Sequence, residues 1–150
     1  MRINAKGRAL IEQFEGCRLT SYRDVAGILT VGYGHTGSDV KEGMTISQSD
    51  AVHLLDRDLS RFEYGVTAMI GAAPTTSDQF SAMVSFAFNL GLQSLLKSTL
   101  LKKHKAGDIK GASEQFASWN KARVNGQLVP LAGLTARRAA EAALYKGATS

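Results

Sequence analysis

The feature that most constrains this chain is a glycine-punctuated run of strand formers set between two stretches of helical periodicity. Leu19, Tyr22, Ile28, Thr30, Val31 and Tyr33 favour extended backbone, while Gly27, Gly32, Gly34 and Gly37 break the run into pieces too short for one long strand. Such a segment folds as two or three short antiparallel strands with tight turns, one of them around Val25, Ala26 and Gly27.

The flanks read as helices. From Ile3 to Phe14 an apolar stripe of Ala9, Leu10, Ile11 and Phe14 follows Asn4, a suitable N-cap, and stops at Gly16. Ser47 and Asp50 form a capping-box pattern ahead of Val52, Leu55, Leu59 and Phe62, predicting a helix that continues towards Ile70. Pro74 interrupts, Ser77 caps a helix over Asp78 to Asn89, and Gly91 closes it. Shorter helices are expected over Ser98 to Lys105 and Asp108 to Trp119. A loop follows over Ala122 to Gly133, then a last helix over Leu134 to Tyr145. A small β segment near the start and helices elsewhere define an α+β protein with two unequal lobes. At 150 residues, with no repeat and no linker, residues 1–150 are expected to form one domain.

Charge and cysteine content narrow the function. A net charge of +5 favours polyanionic partners without choosing between nucleic acid, anionic lipid and acidic cell wall. The one cysteine, Cys17, excludes an internal disulfide and any cysteine-based zinc cluster. Glu12, Gln13 and Glu15 interrupt the apolar core that a secretory leader would need, and no apolar run approaches the roughly 18 residues of a membrane span. Synthesis in a cytoplasm is expected.

Chemistry concentrates between Glu15 and His35. Glu15 falls at a helix end, Asp24 at a strand end or turn, and Thr30 on the returning strand, so a hairpin can bring all three to one cleft. Two carboxyls and a hydroxyl suit acetal hydrolysis. One carboxyl protonates the leaving oxygen, and the other stays ionised to face the developing cation or the attacking water. On spacing alone the bland alternative, two solvated charges, carries more weight.

The pattern of Glu15, Gly16, Arg18, Leu19, Tyr22, Asp24, Gly27, Thr30, Gly32, Tyr33, Gly34 and His35 resembles the catalytic signature of the phage-type lysozymes. The likeness extends through Phe88 to Gly91, Ser98 to Leu101, Phe116 to Trp119, and Gly133, Leu134, Arg137, Arg138 and Glu141. It implies a lysozyme-like α+β fold with a small N-terminal β lobe and a larger helical lobe. It further implies hydrolysis of bacterial peptidoglycan between N-acetylmuramic acid and N-acetylglucosamine, with inversion, no cofactor and no metal. Glu15 would be the general acid, with Asp24 and Thr30 activating water. Tyr33, Gly34, His35, Phe88, Asn89 and Thr99 would line the substrate site. The same resemblance implies a monomer made in a host cytoplasm. It would reach the wall after a holin-type membrane protein permeabilises the membrane.

Other residues read more plainly. His35 either touches sugar or locks the hairpin by a hydrogen bond, and its chemistry favours the lock. Cys17 is expected to be a buried thiol, Trp119 a core residue, and Lys102, Lys103, His104 and Lys105 a solvated face. Arg137 and Arg138 are expected to anchor the last helix, with one of them reaching Glu15. Three competing functions are weaker. A lytic transglycosylase needs no water-activating Asp24, a non-catalytic wall-binding module needs no triad, and a nucleic-acid binder rests on charge alone.

Overall fold

The computed structural model describes residues 1–147. The chain is α+β and divides into two compact units: residues 11–61, and residues 1–10 together with those from 62 onward.

The 11–61 unit is built around a short sheet. Helix α1, Ala5–Glu15, ends into it at Gly16, whose positive φ turns the chain and whose N–H donates to the Glu12 carbonyl at 3.0 Å. Strands β1 (Arg18–Arg23), β2 (Leu29–Gly32) and β3 (His35–Thr36) are antiparallel in the order β1-β2-β3. The middle strand is the buried one: Thr30, Val31 and Gly32 are all inside, whereas β1 is largely exposed. Thr30 pairs with Tyr22 on one side and Thr36 on the other, and β1 bulges between Arg18 and Tyr22. The free edge of β1 is covered by the segment before α2. The Ser21 N–H donates to the Met44 carbonyl and the Ile46 N–H to the Leu19 carbonyl, both at 2.8 Å.

Helix α2, Gln48–Ile70, opens with the expected reciprocal box. The Asp50 N–H donates to Ser47 Oγ at 3.0 Å, and the Ser47 N–H donates to an Asp50 carboxylate oxygen at 3.1 Å. Its buried stripe is Ala51, Leu55, Leu59, Val66 and Ile70. Val52 and Phe62 lie half-buried beside it.

In the other unit, Asn4 caps α1: its Oδ1 accepts the Gly7 N–H at 2.9 Å. The central element is α3, Ser77–Leu90, whose residues from Gln79 to Ala87 are buried without a break. A helix buried on every side cannot show a single apolar stripe, and Ser81 and Ser85 sit inside it with partners. Ser81 Oγ accepts the Asn4 N–H at 2.9 Å. Helix α3 is capped by Thr76, not Ser77, because Thr76 makes a full box with Gln79 while Ser77 is already helical. Helices α4 (Leu92–Leu96), α5 (Thr99–Lys105) and α6 (Ile109–Gln115) follow, and a short 3-10 turn at Phe116–Ser118 ends α6 earlier than expected.

The expected loop over Ala122 to Gly133 is instead a hairpin of β4 (Lys121–Val124) and β5 (Gln127–Pro130), followed by α7, Ala132–Tyr145. Asn125 and Gly126, both at positive φ, make its two-residue turn. The expected solvated face over Lys102 to Lys105 also needs correction, because His104 is buried. Its Nε2 lies 2.8 Å from Thr75 Oγ1 and its Nδ1 2.6 Å from the Tyr145 hydroxyl. Thr75 donates its own proton to the Ala73 carbonyl, so His104 donates through Nε2 and accepts the Tyr145 proton at Nδ1. Burial lowers the His104 pKa and raises that of Tyr145 to about 12. Trp119, expected in the core, is half-buried and stands edge-on to Phe86 at 5.3 Å.

Helix α7 is held to α3 by charge. Glu141 has no exposed side-chain surface, and its carboxylate accepts from Ser85 Oγ at 2.6 Å and from Arg138 Nη2 at 2.9 Å. Arg137 Nε reaches the same carboxylate at 3.3 Å and its Nη2 donates to the Ser85 carbonyl at 3.2 Å, while Arg138 lies over the Phe86 ring. Both arginines thus anchor the last helix, as expected. Burial raises the Glu141 pKa against the pull of the two guanidiniums. Replacing Glu141 with Leu should cost about 3–5 kcal/mol, because the buried Arg138 guanidinium then loses the carboxylate it faces. Urea unfolding of the variant measures this loss.

Candidate active site

The residues from Glu15 to His35 all belong to the 11–61 unit. Glu15 is the last residue of α1 and is half-buried. Its carboxyl group lies against the turn between β2 and β3. A Cβ placed on Gly34 would stand 2.6 Å from Glu15 Oε1. Asp24 follows β1 directly and shapes the β1–β2 turn. Its Oδ1 accepts the N–H groups of Ala26 and Ile28, each at 2.9 Å, and the Asp24 N–H donates to the Ile28 carbonyl at 3.0 Å. Asparagine and aspartate favour such turns because the short side chain satisfies backbone donors two and four residues on. Arg23 closes the same turn through the Gly27 carbonyl at 2.9 Å.

Thr30 lies on β2, after both carboxyls in the chain. It is buried, and its hydroxyl donates to the Ile28 carbonyl at 2.9 Å, so its oxygen keeps lone pairs for an incoming donor. The Asp24 carboxylate is thus bound to Ile28, just before this four-residue strand, and the Glu15 carboxyl lies against Gly34, just after it, with the Thr30 hydroxyl on the strand itself. Arg18 and Tyr22 of the same pattern stack, the guanidinium carbon 4.1 Å from the ring centroid.

His35 is engaged within the protein. Nδ1 lies 2.8 Å from Asp58 on α2, and Nε2 lies 3.0–3.1 Å from the two Asp39 oxygens. With both ring nitrogens held by carboxylates, His35 ties β3 to α2, which agrees with its reading as a lock. Asp39 and Asp58 were not singled out in the sequence, since neither spacing nor periodicity marks them. Tyr33 is half-buried and its hydroxyl accepts from Gln48 Nε2 at 3.0 Å. Cys17 is exposed rather than buried, and its thiol donates to Gln48 Oε1 at 3.6 Å. Gly16 turns the chain out of α1 just before it and leaves it outside the core.

Phe88, Asn89 and Thr99 belong to the other unit. Phe88 is half-buried, its ring 5.2 Å from that of Phe62. Asn89 is half-buried with its Oδ1 enclosed, and Thr99 is exposed at the start of α5.

A family model described as phage lysozyme matches residues 12–141. The chain is 43% identical to an endolysin of Acyrthosiphon pisum secondary endosymbiont phage 1, covering 99% of this chain and all of that protein. It superposes on an endolysin from Escherichia coli O157:H7 phage FAHEc1 with a TM-score of 0.92 and 39% identity, covering 99% of this chain and 96% of the other. The muramidase domain of SpmX from Asticaccaulis excentricus follows at TM-score 0.88 and 36% identity, over 96% and 97% of the two chains. The chain belongs to the phage lysozyme family. Membership makes it a glycosidase of the lysozyme type, with the lysozyme-like α+β fold.

Two outcomes follow from this geometry. Burial, the largest single influence on His35, opposes its protonation, but the hydrogen bonds and charges of Asp58 and Asp39 together exceed it and raise its pKa above 6.5. A raised folded pKa gives stability that is complete below the unfolded value of about 6.5 and is lost as pH rises through the folded value. Chemical denaturation from pH 5 to pH 9 should show that decline, and it should be reduced in His35→Gln. The exposed Cys17 has no interior role, so Cys17→Ser should change stability by no more than about 0.5 kcal/mol and leave activity intact. Thermal unfolding and a turbidity assay check both halves.

Proposed function

We propose that the chain cleaves the β-1,4 bond between N-acetylmuramic acid and N-acetylglucosamine in peptidoglycan, with inversion at the anomeric carbon. Glu15 is the proton donor to the leaving oxygen. Asp24 and Thr30 hold the attacking water on the opposite face of the sugar. The observation that carries this reading is that the Asp24 carboxylate binds Ile28 just before β2 and the Glu15 carboxyl lies against Gly34 just after it, with Thr30 on the strand.

The hydrogen-bond directions support the division of labour. Thr30 has already given its proton to the Ile28 carbonyl, so towards water it can only accept. Asp24 as a carboxylate also only accepts, and one of its oxygens is fixed by two backbone N–H groups. A water that donates one proton to each has a lone pair left to face the anomeric carbon. Inverting glycosidases need room for such a water, with carboxyls about 6.5–9.5 Å apart. No metal or cofactor enters this chemistry. Tyr33, on the turn beside Gly34, and Phe88, Asn89 and Thr99 are proposed to contact the glycan; the bound state of His35 suits a supporting role.

On the same reading the protein is a monomer that lyses a host. It is made in the host cytoplasm, and a holin-type protein opens its way to the wall. The host-lysis part of this reading is supported by a relative that is an endolysin. Expressed alone it should leave cells intact, and clearing should follow membrane permeabilisation.

Glu15→Gln removes the transferable proton while keeping the shape. Activity should fall by at least about 10²–10⁴-fold, the usual worth of general acid catalysis, and Asp24→Asn should be comparably damaged. Nuclear magnetic resonance of freshly cut glycan should show the α anomer first. A β product, or anhydro ends in mass analysis, would overturn inversion by water.

A further inference from the structure

Gly34 stands in the β2–β3 turn at φ +75°, where an L side chain is strained. Conformation is only part of its constraint. A Cβ at this position would meet three atoms of one side chain: Glu15 Oε1 at 2.6 Å, Cδ at 3.3 Å and Cγ at 3.8 Å. The other glycines at positive φ in this unit differ. Gly16, Gly27 and Gly43 have nothing within 4 Å of such a Cβ, Gly32 has only ordinary contacts starting at 3.5 Å, and Gly37 would approach Asp39. Gly34 alone among them is pressed against the carboxyl group proposed as the acid.

We infer that Gly34 is a positioning residue for Glu15: its missing side chain is the seat in which the Glu15 carboxyl group rests. The inference builds on the reading of Glu15 as proton donor and assigns Gly34 a role beyond lining the substrate site. The turn backbone is tied on one side through Val31 and His35 pairing and through the His35 bonds to α2. The Glu15 carboxyl is the end of a flexible side chain. If a methyl group is introduced at position 34, the carboxyl is the part that gives way. A displacement of about 1 Å in a catalytic group can cost about 10²-fold in rate. The fold, by contrast, bears only the strain of an L residue at positive φ.

Gly43→Ala is the matched control, since Gly43 has φ +72° and open space where the methyl would go. Gly34→Ala should lower kcat by about 100-fold or more with KM little changed, while its melting temperature falls about as far as that of Gly43→Ala. Gly43→Ala should keep wild-type kcat. The carbon-13 resonance of the Glu15 carboxyl, assigned by its loss in Glu15→Gln, should shift in position in Gly34→Ala and not in Gly43→Ala. In a Glu15→Asp background, whose carboxyl is one methylene further back, Gly34→Ala should cost less than a few-fold more. An unmoved Glu15 resonance in Gly34→Ala, with an activity loss no larger than that of Gly43→Ala, would overturn the inference. Full activity in Glu15→Gln would instead overturn the acid assignment on which it rests. That failure is separately visible, because the Gly34→Ala shift of the Glu15 resonance would persist.

Discussion

The 11–61 unit depends on one buried four-residue strand. β2 is paired on both sides, and Thr30, Val31 and Gly32 are inside, so its backbone has no alternative partners and its register cannot slip without moving Val31 to the wrong face. Everything chemical is referenced to it. The Asp24 turn leads into its start, the Thr30 hydroxyl hangs on its own backbone, and the turn at its end receives the Glu15 carboxyl. A catalytic water needs acceptors fixed to a fraction of an ångström, and a strand held on both edges is a stiffer mount than a loop.

The two units use buried charge differently. In the 11–61 unit, His35 sits between Asp39 and Asp58, close enough to the surface for solvent to moderate the pair, and it joins strand to helix. In the other unit, Glu141 lies wholly inside with Arg138 and nearly buried Arg137, and Ser85 of α3 completes the set. Desolvating these groups is costly, and well-packed apolar residues could serve stability as well. What the cluster adds is direction. Its hydrogen bonds accept one rotational setting of α7 against α3, where an all-apolar contact would tolerate several.

Much of this was legible along the chain because it is local. The Ser47–Asp50 box, the Asn4 cap, the Gly16 stop and the glycine-broken β segment each act within a few residues, and each is present. The hairpin at Asn125–Gly126 was equally local and was missed because its flanks do not alternate cleanly. Lys121, Arg123, Val124, Gln127 and Leu128 are all exposed, so no buried face marks them as strands. Thr76 was passed over for Ser77 for a different reason. Two adjacent hydroxyl residues can each cap, and only the Gln79 side chain, turned back to the Thr76 N–H, decides between them.

Resemblance to a family signature offered the candidate acid–base residues, and by itself the sequence determined most of the helices, the N-terminal β segment and where most of them stop. Those properties follow from backbone preferences and short-range hydrogen bonds. Tertiary structure alone decided which polar groups are inside. His104, within a lysine run, became a core hydrogen-bonding residue between Thr75 and Tyr145, and Cys17, just ahead of the exposed strand β1, stayed exposed. It also decided that Gly34 faces Glu15 across 19 positions of chain. Burial and close approach depend on partners distant in sequence, and no local pattern encodes which partner arrives.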